Sequence, residues 1–407
     1  MKIKLPSKVR YIINEIYENG YEAYIVGGCV RDSILGFEPN DYDITTSATP
    51  DMIKEIFKNF KCIETGIEHG TVSLVIDDDI YEITTYRIEG EYKNHRRPEH
   101  VEFTRKLDED LKRRDFTINA MAYNEKEGLI DLFEGQIDIK NKLIKTVGNP
   151  YDRFNEDGLR MIRAIRFSSK LGFKIEDNTL LAIYDNATII KSISLERITD
   201  EFNKIILSDK PENIIYAFKT KLLNYLNISS EEDENKITKL YEKIIILNKI
   251  DKNLIKRLVV LDYLIEDLNI SCKSFCKELV YSKKIINNHN SILTLLKEVD
   301  IKKLDKVKIK KILNKIDKGL FLQYLDINRI IHNDEKNLIR IIEILKDIEK
   351  NKECYTIKDL DINGKDIIAL GYENKAIGQI LNWLLEEVII NPSLNNRDML
   401  ISKTKEI

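Results

Sequence analysis

Near residue 140 the spacing of hydrophobic side chains in this 407-residue chain changes from strand-like to helix-like, and that switch restricts the fold more than any other property of the sequence. Before it, β-rich runs such as TVSLVI (71–76) and IYEITTY (80–86) are separated by Gly and Asp turns, DDD at 77–79 among them. After it, apolar residues recur at helical spacing almost to the end. Seven prolines and the lack of a Gly/Ser-rich linker predict helices packed continuously rather than beads on a string. The expected fold class is α+β, with a small mixed β-sheet and its helices followed by an all-α C-terminal half. The expected divisions are 1–140, 141–205, 206–295 and 296–407.

Within the first part, residues 24–45 read YIVGGCVRDSILGFEPNDYDIT. Gly27 and Gly28 follow an apolar strand and precede a helix-like stretch containing Val30, Ile34 and Leu35, so their backbone can turn sharply and offer N–H groups to a phosphate. Arg31 adds a charge-assisted donor there. Asp41 and Asp43 stand one residue apart on a second strand-like run, on one face and about 6.6 Å apart. Two carboxylates so placed can hold a pair of divalent ions. A lone double glycine is usually a turn and a lone DxD a solvated strand end, but in this order and spacing they point to chemistry on a nucleoside triphosphate. By alternation Glu82 can face the same pocket, although a solvent-facing position fits its strand equally well. Asp115 competes as a supporting carboxylate.

In order, GGCVRD (27–32), DYDIT (41–45), YEITTYR (81–87), RRDFTINA (113–120) and EDGLRMIRAIRF (156–167) resemble the motifs of the class II tRNA nucleotidyltransferases, the CCA-adding enzymes, and of the related bacterial poly(A) polymerases. The C-terminal half resembles the bacterial family in segments, chiefly residues 362–395. The resemblance implies a nucleotidyltransferase palm as head domain, a nucleotide-reading neck, a helical body and a tRNA-binding tail over the four divisions above. It implies Mg²⁺ as cofactor, tRNA, ATP and CTP as partners, and stepwise addition of C, C and A to a tRNA 3′ end without a template. Asp41, Asp43 and Glu82 would be the catalytic carboxylates, with the metal on the two aspartates. Gly28, Arg31 and Arg114 would hold the triphosphate, and Asn119 would serve the sugar or the structure. Two bound ions can activate a 3′-hydroxyl and neutralise departing pyrophosphate with no covalent enzyme intermediate.

Base choice would fall to Asp157 and Arg160. A helix through EDGLRMIRAIRF places them three residues apart on one face, continued by Arg163 and Arg166, with Leu159, Ile162 and Ile165 elsewhere. Cytosine and adenine each present an amino donor beside an unprotonated ring nitrogen, matching a carboxylate acceptor and a guanidinium donor. Uracil and guanine present the reverse and would leave buried groups unpaired.

The remaining signals refine this. The polar segment from Glu89 to Arg105 is long for a compact domain; in the resembled family its counterpart is a mobile loop needed for A addition. His69, His95 and His100 show no metal-ligand spacing. A formal net charge of −3 leaves RNA binding to local patches, either Arg105, Lys106, Lys112, Arg113 and Arg114 or KKLDKVKIKK at 302–311, where a solvated helix face is the plainer expectation. Five scattered cysteines, among them Cys272 and Cys276, fit a reducing cytosol better than a disulfide framework or a metal site. A polar start and no long apolar run predict a cytoplasmic protein without a membrane span. His332 is followed by Asn333 and then Asp334, so no HD phosphohydrolase signature appears. The C-terminus follows the matching tail closely, which is expected to favour tRNA over polyadenylation. An A-adding enzyme paired with a separate CC-adding one, a bacterial poly(A) polymerase, a small-molecule nucleotidyltransferase and a silent RNA-binding protein are the alternatives; oligomeric state is open.

Overall fold

The computed structural model describes residues 2–66, 70–90, 92–93, 97–98 and 101–406. Its N-terminal sheet contains β1 (Ala23–Val26), β2 (Ile44–Thr46), β3 (Lys61–Gly66), β4 (Thr71–Ile76), β5 (Asp79–Thr85), β6 (Met121–Asn124) and β7 (Gly128–Asp131), ordered β7-β6-β1-β2-β5-β4-β3. Every neighbouring pair is antiparallel except β2 with β5, so the sheet is mixed. All four residues of β1 are buried, as expected of an uninterrupted apolar run covered by helices. The helix Ser7–Glu18 packs against it and buries Val9, Ile12, Ile13 and Ile16, the apolar stripe of a helical period. The DDD turn behaves as read, with Asp77 and Asp78 at φ 48° and 69°, the left-handed pair of a tight hairpin between β4 and β5.

Two expectations need correction. The polar segment after Glu89 is not simply a loop, because Arg87–Glu89 pairs with Val101–Phe103 and Tyr92–Lys93 with Arg97–Pro98, both antiparallel. His69, His95, His100 and Arg96 lie outside the described residues. The single helix expected through EDGLRMIRAIRF is broken: one helix spans Pro150–Glu156, Asp157 is extended (φ −136°, ψ 107°), and the next runs Leu159–Leu171. The cause is local. A Cβ at Gly158 would lie 2.8 Å from Ile189 Cγ2, so the bare backbone permits a close approach that a continuous helix would not make. Gly172 in the left-handed region (φ 68°) then ends the second helix.

By contact density the chain divides into two compact units, residues 1–242 with 270–273 and 278–280, and residues 243–269, 274–277 and 281–407. The first therefore unites the segments expected as 1–140 and 141–205. The second is helical among its described residues, and Ile367, Leu384, Leu385, Val388 and Leu400 form part of one of its apolar clusters. In that unit the lysine run 302–311 is engaged within the protein: Lys310 is buried on Glu353 (2.9 Å), Lys306 reaches the same carboxylate and Asp347, and Lys311 pairs with Glu386 (2.7 Å). No described helix is long and apolar enough to cross a membrane.

One glycine fixes the floor beneath the RRDFTINA turn. A Cβ at Gly135 would sit 2.4 Å from the Thr117 carbonyl oxygen and 3.0 Å from Met121 Sδ. Gly135→Ala is expected to destabilise the first unit by about 1–3 kcal/mol, read as faster native-state hydrogen exchange in β6. Gly378→Ala, on an open helix position with nothing within 4 Å, is expected to be neutral or slightly stabilising.

Candidate active site

Asp41 and Asp43 lie not within a strand but on the extended segment that leads into β2. The Asp43 carbonyl accepts the Val26 N–H at 3.0 Å, which ties the segment to β1. Parallel pairing sets Ile44 opposite Ile83, and one residue back along both chains stand Asp43 and Glu82, both exposed. Their charges meet. The Asp43 carboxyl is pushed up by desolvation, then by Asp41 and by Glu82, against an opposing pull from Arg114. A divalent cation would relieve that repulsion, and oxygen-only donors suit a hard ion. Among the described residues, no three or more His, Cys, Asp or Glu side chains are grouped closely enough to hold a metal ion.

The Arg114 guanidinium lies under the double-glycine turn. Gly27 takes φ 79°, a backbone conformation that favours glycine, and a Cβ there would meet Arg114 Nη1 at a tight 3.1 Å. Gly28 opens the helix Gly28–Ile34. Arg114 is positioned from below by Asp110, which is fully buried and accepts from Arg113 Nε (2.9 Å) and Nη2 (2.8 Å), Arg114 Nη2 (3.4 Å), the Arg87 N–H (3.4 Å) and Thr45 Oγ1 (3.4 Å). Burial would raise the Asp110 carboxyl, but Arg113 and Arg114 overcome this and hold it low.

Arg31 is placed differently from a free phosphate donor. It is buried, and its guanidinium donates to Asp32 (Nε, 2.8 Å) and to Asn119 Oδ1 (Nη1, 2.6 Å). Asn119 Nδ2 in turn donates to Asp115 Oδ1 (3.2 Å), and Asp115 Oδ2 accepts Arg163 Nε (2.9 Å) and Nη2 (2.5 Å). Burial works to raise the Asp115 carboxyl, yet Arg163 and these hydrogen bonds hold it at about 2. Asp115 is thus engaged inside a relay of side chains, whereas Glu82 stands beside the DxD pair.

The break after Glu156 rearranges the expected reading face. Asp157 Oδ1 accepts the Leu159 N–H (3.0 Å) and Oδ2 accepts Arg197 Nη2 (3.1 Å). Arg160 pairs with Glu156 and donates to the Arg153 carbonyl (Nη1, 3.2 Å) and the Arg113 carbonyl (Nη2, 3.2 Å). Arg166 pairs with Glu201 (2.8 Å) and lies over the Phe167 ring (4.2 Å). Desolvation and the neighbouring Arg163 charge lower its guanidinium below the ordinary arginine value.

Sequence reasoning passed over Asp110, Glu156, Arg197 and Glu201. For the first two the spacing was a signal, since Asp110 precedes Arg113 and Arg114 by three and four residues and Glu156 precedes Arg160 by four. Arg197 and Glu201 come from a helix about forty residues away, Leu195–Ile206, which no local pattern links to Asp157.

These features define a nucleotidyltransferase of the polymerase type: a carboxylate pair at the start of the central strand of a mixed sheet, an arginine beneath a double-glycine turn and an arginine-rich helix beyond. Residues 23–145 match the poly A polymerase head domain, 172–229 the family described as the probable RNA and SrmB-binding site of polymerase A, and 256–404 the putative tRNA nucleotidyltransferase domain 2. The chain is 37% identical to a CCA-adding enzyme of Ligilactobacillus salivarius over 97% of its own length and 95% of that protein's, and 35% identical to one of Pediococcus pentosaceus over 96% and 95%. It superposes on the Bacillus stearothermophilus CCA-adding enzyme crystallised with CTP at a TM-score of 0.78, with 28% identity, 98% of this chain and 96% of that one covered. The chain belongs to the CCA-adding enzyme family.

The Asp115 relay has an acid signature. Its folded value of about 2 lies below the ordinary 3.8, so its stabilisation is complete above about pH 4 and is lost as pH falls toward 2. Asp115→Asn should be less stable than the parent at neutral pH and lose less further stability between pH 4 and 2, as followed by denaturant midpoints.

Proposed function

We propose that this chain adds C, C and A in turn to the 3′ end of tRNA from CTP and ATP, without a nucleic-acid template and with release of pyrophosphate. The observation that carries this reading is the convergence of Asp41, Asp43 and Glu82 with Arg114 under the Gly27 turn, in a chain whose full-length relatives are CCA-adding enzymes. Asp41 and Asp43 would hold Mg²⁺, which supplies Lewis-acid activation of the terminal hydroxyl and charge neutralisation at the α-phosphate and pyrophosphate. Glu82 supports the pair. Arg114, held by Asp110, and the Gly28 backbone bind the triphosphate, while Arg31 and Asn119 orient the turn that carries them.

Asp157 accepts from the amino group shared by cytosine and adenine, and Arg160, braced by Glu156, donates to the adjacent ring nitrogen. Arg163 and Arg166 line the same helix and set its position. The hairpin arm around Tyr92–Lys93 and Arg97–Pro98 adapts the pocket from C to A. An RNA partner is supported by three lysine–tyrosine pairs, Lys191 over Tyr225 (5.2 Å), Lys219 over Tyr241 (5.3 Å) and Lys221 over Tyr184 (5.3 Å). Cations interleaved with partly exposed aromatic rings suit phosphate and base faces together. Five free cysteines fit a reducing cytoplasm, where this reaction belongs.

The test is incorporation of labelled CTP and ATP into tRNA transcripts lacking three, two or one terminal nucleotides. Addition of all three is expected; A addition alone, on the last transcript only, would instead mark an A-adding enzyme. Asp41→Ala or Asp43→Ala should abolish C and A addition alike with tRNA affinity nearly unchanged, since affinity rests on backbone contacts elsewhere; near-normal turnover in either would refute the metal assignment. Deleting 91–98 should leave C addition largely intact and stall products two nucleotides long, whereas equal loss of all three additions would assign the arm to folding or RNA binding.

A further inference from the structure

The base-reading carboxylate, in the break between two helices, is held from a third. Asp157 has one oxygen on the Leu159 N–H and the other on Arg197, a residue in the first turn of the helix Leu195–Ile206. That helix braces the arginine-rich one at a second point, where Glu201 pairs with Arg166 (2.8 Å). A carboxylate offers roughly four acceptor positions. Two hydrogen bonds fix the plane and direction of the group and leave acceptor capacity for an incoming amino group.

Arg197 differs from an arginine placed for stability. Arg340, for comparison, spends all three of its nitrogens on the fold, donating to the carbonyls of Leu304 (2.6 Å) and Ile301 (2.9 Å) and to Asn337 Oδ1 (3.3 Å). Arg197 donates from Nη2 to Asp157, while its Nη1 is buried and finds no hydrogen-bond acceptor among the described residues. A buried donor left unmade is unfavourable. The fold tolerates it beside the one carboxylate on which base choice depends.

We propose that Arg197 is a positioning residue for nucleotide selection: by clamping Asp157 Oδ2 it sets the direction in which the carboxylate can accept, and so the preference for amino-bearing bases over their keto counterparts. Without the clamp Asp157 keeps only its bond to the Leu159 N–H, about which it can rotate. Misaligned acceptors still bind a triphosphate but discriminate its base poorly. The inference rests on the reading of Asp157 as the base-edge acceptor.

The experiment compares kcat/KM for CTP and UTP on a tRNA transcript lacking its three terminal nucleotides, in the parent, Arg197→Met, Arg197→Lys and Asp157→Ala. Arg197→Met is expected to lower the CTP/UTP ratio about 10- to 100-fold, with KM for tRNA unchanged, and Arg197→Lys, which keeps the charge and one donor head, to recover part of the ratio. A purely structural arginine would instead lower both rates together and leave the ratio intact, which overturns the proposal. If Arg197→Met fails to fold, Arg197→Lys decides: a several-fold fall in the ratio upholds the clamp and an unchanged ratio refutes it. Should Asp157→Ala lose selectivity while both Arg197 variants keep it, the clamp alone fails. Should Asp157→Ala also keep it, the base-reading assignment fails and the clamp with it.

Discussion

The buried relay Arg31–Asn119–Asp115–Arg163 is the interaction on which the first unit's site depends. It runs from the helix after the double glycine, through the RRDFTINA turn, to the arginine-rich helix, so three segments distant in sequence share one set of hydrogen bonds. The Phe167 ring sits at its centre, with Arg31 at 5.3 Å, Arg163 at 5.6 Å and Arg166 at 4.2 Å from the ring centroid, and it meets Phe116 edge-on at 5.5 Å. Three guanidinium groups around one aromatic ring repel one another, and Asp32, Asp115 and Glu201 offset that charge. Removing one partner of such a buried pair strands the other, at a cost of about 3–5 kcal/mol. Rigidity here suits the proposed function, because a site that is to select bases without a template needs its hydrogen-bonding groups held before the base arrives.

A second anchor, Asp110, serves the arginine beneath the double-glycine turn in the same manner. It joins β2 through Thr45, the arm through the Arg87 N–H and the two arginines of RRDF. On the other side of the turn the Asp43 carboxyl is raised, first by desolvation and then by repulsion from Asp41 and Glu82. The site thus pairs a preorganised set of cationic groups with acidic groups whose mutual repulsion a cation would relieve.

Much of this was legible in the chain itself. The period-2 runs of β4 and β5 and the Asp turn between them were readable because strand alternation and turn chemistry are local. So were the carboxylate pair and the double glycine, whose spacing is a property of one short segment. Four matters were not legible, each for a non-local reason. The helix break at Asp157 depends on Ile189 approaching Gly158, and periodicity alone continues the helix across it. The engagement of Arg31 depends on Asn119, 88 residues away. Arg197 becomes relevant only when two helices pack, and the lysine run 302–311 reads as a solvated helix face or a basic patch until Glu353, Glu386 and Asp347 are brought to it.

The central claim is that fixed side chains, and not a nucleic-acid strand, choose the base. A crystal structure of the protein with CTP and Mg²⁺ tests it most directly. The account predicts the cytosine amino group within hydrogen-bond reach of the Asp157 carboxylate, the ring nitrogen on Arg160, the triphosphate beside Arg114 and the Arg31–Asn119–Asp115–Arg163 relay unchanged. A base edge resting on other side chains or on water alone, with Asp157 and Arg160 unengaged, would contradict it.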